Sequence, residues 1–260
     1  MSEVGGEESA TVREFVSHLI ELRTRLIRAV VAVFAVFVAL LPLANHLYTW
    51  LAHPLLSKMP QGGHMIATEV TTPFFVPMKV AGLVAFLLAL PYVLAQIWGF
   101  IAPGLYDHEK RLAFPLIVSS TLLFYIGMMF AYFAVFPFAF GFFANTAPQG
   151  VEMMTDIDKY LSFVITMFIA FGLAFETPVA VVLLVKLGVI SVPQLRSARR
   201  YVLVGAFIIG AIFTPPDAVS QTMLAVPLWL LYEVGILVAA RMTPKTIPVD
   251  KTEKLPNLEA

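Results

Sequence analysis

Glu176 has the clearest chemical signature in this 260-residue chain, because it interrupts an apolar run from Leu161 to Leu187. At ~1.5 Å per residue it lies on the order of 22 Å into such a helix, and the Thr177-Pro178 that follows predicts a kink. A carboxylate at that depth is costly in a bilayer and by default marks function, turned toward a bundle interior, a wet cavity or a partner helix. The alternative is a protonated acid bonded to a neighbouring Ser or Thr. Glu21 and Glu109, 88 residues apart, form a second constellation. Taken singly, Glu21 reads as the i,i+4 partner of Arg25, and Glu109 as an acid favoured at a helix start by the dipole. Taken together on one face, the two carboxylates accept two guanidinium groups, each bidentately, a geometry Lys does not reproduce.

Phe100, in the run Trp98-Gly99-Phe100-Ile101-Ala102-Pro103, belongs either to that surface or to an ordinary belt of interfacial aromatics. Thr214 and Gln221 flank the turn Thr214-Pro215-Pro216-Asp217, as a polar patch or as plain capping residues. No G-x-x-x-x-G-K-[ST], H-E-x-x-H or G-x-S-x-G motif is present. His108-Glu109 is followed by Lys110-Arg111-Leu112, without the second His that zinc ligation needs. The expectation is therefore no catalytic residue, no metal site and no cofactor.

The elements that position these residues follow from composition. The chain is 59% hydrophobic and 13% charged with a mean hydropathy of +0.85, against about 45–50% apolar and about 25% charged in soluble domains. Such an excess calls for membrane-spanning helices of roughly 20 apolar residues each. Zero net charge argues against a nucleic-acid partner, and the absence of Cys excludes disulfides and thiol chemistry.

The pattern predicts an all-α integral membrane protein. Residues 1–10 read as a flexible tail, and Thr11-Val12-Arg13-Glu14 as a capping box opening an amphipathic helix over 11–25. Six spans follow, at 26–44, 80–101, 112–138, 161–187, 201–213 and 223–240, making one membrane domain over 11–240 before a tail at 241–260. The first span is too long for a secretory signal and has further spans behind it. Prolines 91, 115, 137, 178 and 227 mark kinks that neighbouring helices satisfy. The fifth span offers only 13 apolar residues and the sixth only ten before Glu233, so both read as short, thinning the bilayer locally. Residues 45–79 and 139–160 read as a structured cap on one side. Of the 17 Lys and Arg, 14 fall in segments on the other side, which predicts both termini in the cytoplasm.

Four runs in order, SHLIELRTRL, FIAPGLYDHEKR, FGLAFETPV and YVLVGAFIIGAIFTPPD, resemble the TatC family of the twin-arginine protein translocase, from about Arg13 to Ala240. The resemblance implies a cup-shaped bundle of six helices in the bacterial cytoplasmic (inner) membrane. It implies binding of twin-arginine signal peptides of folded proteins, a hetero-oligomer of several copies with TatB and TatA, and transport driven by the proton-motive force. Motif by motif, it assigns Glu21, Glu109 and Phe100 to signal recognition. It assigns Glu176 to a membrane-facing acid in the concavity, and Thr214 and Gln221 to partner docking. The residues alone also permit a different class, a proton-coupled small-solute carrier using Glu176.

Overall fold

The computed structural model describes residues 4–56, 65–101, 113–146, 154–213 and 218–242. Among them every regular element is helical, and extended backbone pairs only in an isolated parallel bridge between Ile66 and Asp156. Helix α1 (Val4–Leu40) takes in residues 4–10, where a tail was expected, and merges the expected amphipathic helix with the first span. No proline lies between Thr11 and Leu40 to break the helix, which begins before Thr11. Pro42, lacking an amide hydrogen, sets a 3-10 turn over Leu41–Leu43, after which α2 (Ala44–Leu56) extends into the stretch expected as loop.

Helix α3 (Thr72–Ile101) starts eight residues before the expected span, with Pro73 in its first turn, where a missing amide hydrogen is harmless. Helix α4 (Ala113–Phe130), a π-helical turn (Ala131–Val135) and α5 (Phe136–Thr146) form one continuous segment. At the end of that turn the fully buried Phe136 packs among the rings of Phe140, Phe163 and Phe168, with centroids 5.2–6.1 Å away. Helices α6 (Ile157–Phe175) and α7 (Thr177–Lys186) are separated at Glu176, as Thr177-Pro178 predicted. Helices α8 (Val192–Phe213) and α9 (Ala218–Met242) complete the described residues.

Five of these segments are long and apolar enough to cross a membrane: Val16–Ala52, Thr72–Ile101, Phe114–Phe142, Ile157–Lys186 and Ala218–Met242. Helix α8 is the sixth membrane helix. It is 22 residues long, but Arg196, Arg199 and Arg200 near its start confine the apolar part to the expected 201–213. The last helix is 25 residues long and contains the expected span 223–240, with Glu233 inside it paired to Arg199 of α8 at 2.7 Å.

Helix α1 packs on α3, α4 on α6, and both α7 and α8 on α9. The core lies along α6, where Leu161, Val164 and Phe171 are fully buried, while Phe114, Phe133 and Ile212 turn outward. Such an apolar exterior suits lipid. Small residues set the closest approach: Gly127 of α4 backs onto the Phe171 carbonyl, and Gly172 of α6 onto the Phe124 ring.

The expected cap is tied across 88 residues of sequence. Ile66 donates to Thr155 O at 3.0 Å and accepts from Ile157 N at 2.9 Å. The Asp156 carboxylate accepts from Thr68 Oγ1 at 2.5 Å and Thr68 N at 3.1 Å, while also capping α6 through Asp158 N and Lys159 N. Lys79 of α3 pairs with Asp158 at 2.6 Å. The Thr68 hydroxyl, followed by the Lys159 amide, holds the Asp156 carboxyl down to about 2. A carboxyl depressed on folding contributes fully above the ordinary value of about 3.9, and loses its contribution as pH falls through the depressed one. Hydrogen exchange at Thr68, Asp158 and Lys159, corrected for intrinsic rates, should therefore show constant protection from pH 7 to 5. Protection should be lost at every pH in Asp156→Ala.

Candidate functional site

Three places bring the candidate residues into contact with others. The first is where α1 and α3 pack antiparallel, so that positions 18–25 of α1 face the last turn of α3. Glu21 and Arg25 share a helix face at i,i+4 spacing, and Arg25 donates to Glu21 Oε1 from Nε at 2.8 Å and from Nη2 at 2.7 Å. The Arg25 guanidinium lies over Gly99, in space that a Cβ would occupy. One residue on, the Phe100 ring stacks on His18, with centroids 4.2 Å apart and planes 23° apart. Glu21 and Phe100 thus both lie, partly exposed, where α1 meets the end of α3. Glu109 lies outside the described residues.

The second place is the break between α6 and α7. Glu176 caps both halves, with φ −73° and ψ −14°. It is ten residues from Lys186, so about 15 Å of helix separates it from that end. The Ser120 hydroxyl of α4 hydrogen-bonds its carboxyl group, and Oε1 has no partner among the described residues. Ser120 is itself fully buried and accepts from the Trp98 indole at 3.1 Å. Because an indole nitrogen only donates, Ser120 accepts from Trp98 and keeps its proton and a second lone pair for the Glu176 carboxyl group, so it bridges the two. The expected Ser or Thr neighbour of Glu176 is therefore present, together with a tryptophan two residues before Phe100. The sequence reading named neither Ser120 nor Trp98 in this role. The signal was there, since Ser119-Ser120 is a polar pair inside an apolar span.

The third place is the α8–α9 pair. Gln221 Nε2 donates to Phe207 O at 2.8 Å, and Gly210 leaves room for the Gln221 side chain. Farther along, Tyr232 OH donates to Leu195 O at 2.8 Å beside the Arg199–Glu233 pair. Gln221 therefore helps hold the short helix to its neighbour. Thr214 lies outside the described residues. Among the described residues no cluster of His, Asp and Glu is arranged to hold a metal ion.

A family model described as Sec-independent protein translocase protein (TatC) matches residues 17–227, a stretch that includes Glu21, Phe100, Glu176 and Gln221. This chain belongs to the TatC family. It is 55% identical over 221 residues to the Sec-independent protein translocase protein TatC of Escherichia coli (strain K12), covering 85% of this chain and 86% of that protein. It is 54% identical over 233 residues to the TatC protein of Azotobacter chroococcum mcd 1, covering 90% and 91%. A crystal structure of the twin-arginine translocase receptor TatC superposes with a TM-score of 0.77 at 40% identity, covering 86% of this chain and 98% of that one. The six-helix cup expected for a TatC protein is consistent with that match. The chain is thus a multi-pass membrane component of the twin-arginine translocase. Within the family motifs, SHLIELRTRL supplies both Glu21 and its partner Arg25, and FETP supplies the break at Glu176.

Proposed function

We propose that this TatC protein receives twin-arginine signal peptides at the surface around Glu21 and Phe100, with Glu109 contributing a second carboxylate. The observation that carries this reading is that Glu21 already grips a guanidinium beside a stacked aromatic. A carboxylate so placed suits arginine by charge and by donor geometry. An apolar groove of about 660 Å³ between α1 and α3 begins at Leu26, one residue past Arg25, and runs to Phe37 and Phe75. It offers the apolar part of a signal peptide a path continuous with the arginine site.

In this reading both termini are cytoplasmic in the bacterial inner membrane, as the 14 cationic residues on one side favour. Glu176, Thr214 and Gln221 serve contacts with the membrane helices of TatB and TatA, and transport draws on the proton-motive force. The 13-residue apolar stretch of α8 spans about 20 Å against a hydrocarbon core of about 30 Å, so the bilayer thins there.

The test is binding of a peptide bearing Arg-Arg, compared with its Lys-Lys version, to the purified full-length protein in nanodiscs. The parent should prefer Arg-Arg, and Glu21→Ala should lose about tenfold or more, as for a hydrogen-bonded charged pair. Equal binding of the two peptides by the parent would overturn the arginine-reading role.

A further inference from the structure

We infer that Arg25 is an internal competitor for the Glu21 carboxylate, occupying it until a ligand guanidinium displaces it. The inference rests on the reading of Glu21 given above and concerns how that same site is regulated. Three observations carry it. Arg25 places two nitrogens on Glu21, yet both go to the single oxygen Oε1, at 2.8 and 2.7 Å. The better arrangement, one nitrogen to each carboxylate oxygen, is left for another guanidinium. The contact is part-exposed, with side chains 26% and 36% accessible, so a peptide can reach it from solvent. Finally, the guanidinium has a seat of its own, over Gly99 and beside the Phe100–His18 stack, that any Cβ at position 99 would fill.

The consequence is quantitative. A site that is free only a fraction of the time binds every ligand more weakly by that fraction. Arg25 therefore weakens Arg-Arg and Lys-Lys peptides by one common factor. It lowers the affinity scale of the site while leaving the ratio between the two peptides to Glu21 itself. Exposed ion pairs of this kind correspond to about a two- to fivefold factor.

The experiment titrates labelled Arg-Arg and Lys-Lys peptides into the full-length protein in nanodiscs. Arg25→Gln should tighten both peptides about two- to fivefold with their ratio unchanged. Gly99→Ala keeps the charge of Arg25 but removes its seat, and should act in the same direction. Arg23→Gln removes a cation from the same helix without touching Glu21, and should gain less than either. In a Glu21→Ala background, adding Arg25→Gln should gain no more than Arg23→Gln does, because the competitor acts only through Glu21. If Arg25→Gln leaves binding unchanged or weaker at the parent melting temperature, the competitor role is wrong. The same holds if Arg23→Gln gains as much while Gly99→Ala gains nothing, since the effect is then general charge. If instead Glu21→Ala binds like the parent, the assignment of Glu21 to signal recognition fails and the competitor role falls with it. A Glu21 effect without an Arg25 effect removes only the competitor.

Discussion

Gly127→Ala is expected to destabilise the membrane bundle by about 2–3 kcal/mol, although alanine is the better helix former. A Cβ at position 127 would lie 2.5 Å from the Phe171 carbonyl oxygen, 3.0 Å from its carbon and 3.0 Å from Phe175 Cβ. Two of those three atoms are backbone and cannot rotate aside, so α4 and α6 must separate along the most buried seam of the fold. Lost packing matters more here than in a soluble protein, because lipid gives helices no hydrophobic reason to associate. Gly205→Ala in α8 is the control. Nothing lies within 4 Å of its Cβ position, so the helix gains propensity without a clash and should be neutral or up to about 1 kcal/mol more stable. Unfolding of both variants by SDS titration in mixed micelles checks the contrast. Equal midpoints for the two would show that α4 and α6 have slack at this contact.

Ser120→Ala is expected to cost about 1–3 kcal/mol, more than Trp98→Phe, which removes one bond and should cost about half as much. The asymmetry follows from the place of Ser120 between the other two groups. Without the serine hydroxyl, the Trp98 indole loses its acceptor and Glu176 loses its hydrogen-bond partner, so two groups are stranded together. Without the indole, Ser120 still hydrogen-bonds Glu176. Ser120→Thr keeps the hydroxyl and should recover part of the loss, as far as the fully buried site admits one more methyl. The same SDS titration ranks the three variants, and a Trp98→Phe loss equal to that of Ser120→Ala would refute the bridging role of Ser120.

What was legible in the sequence divides along physical lines. Apolar runs announced the membrane helices, since a span is a local property of composition. Glu176 was conspicuous because an acid inside such a run has no solvent to turn to. The Glu21–Arg25 pair was legible because i,i+4 spacing lies within one helix. Helix ends were read less well. Starts at Val4 and Thr72 depend on whether flanking residues continue the helix, and Pro73 reads as a breaker unless its place in the first turn is known. Contacts between spans were invisible. Trp98–Ser120 joins positions 22 residues apart and Arg199–Glu233 positions 34 apart, and periodicity says nothing about which faces meet.

The Thr68–Asp156 tie also imposes a schedule on the newborn chain, since its two ends are 88 residues apart. At synthesis rates of about 5–20 residues per second, the first side waits roughly 4–18 seconds for the second to emerge. Helices α3 to α5 must enter the membrane during that interval with the cap still open. Closure comes only with the first turn of α6, whose capping carboxylate is the same Asp156. The residue that starts the α6–α7 segment is thus also the one that fastens it to the segment before α3, so late insertion and cap assembly become a single event.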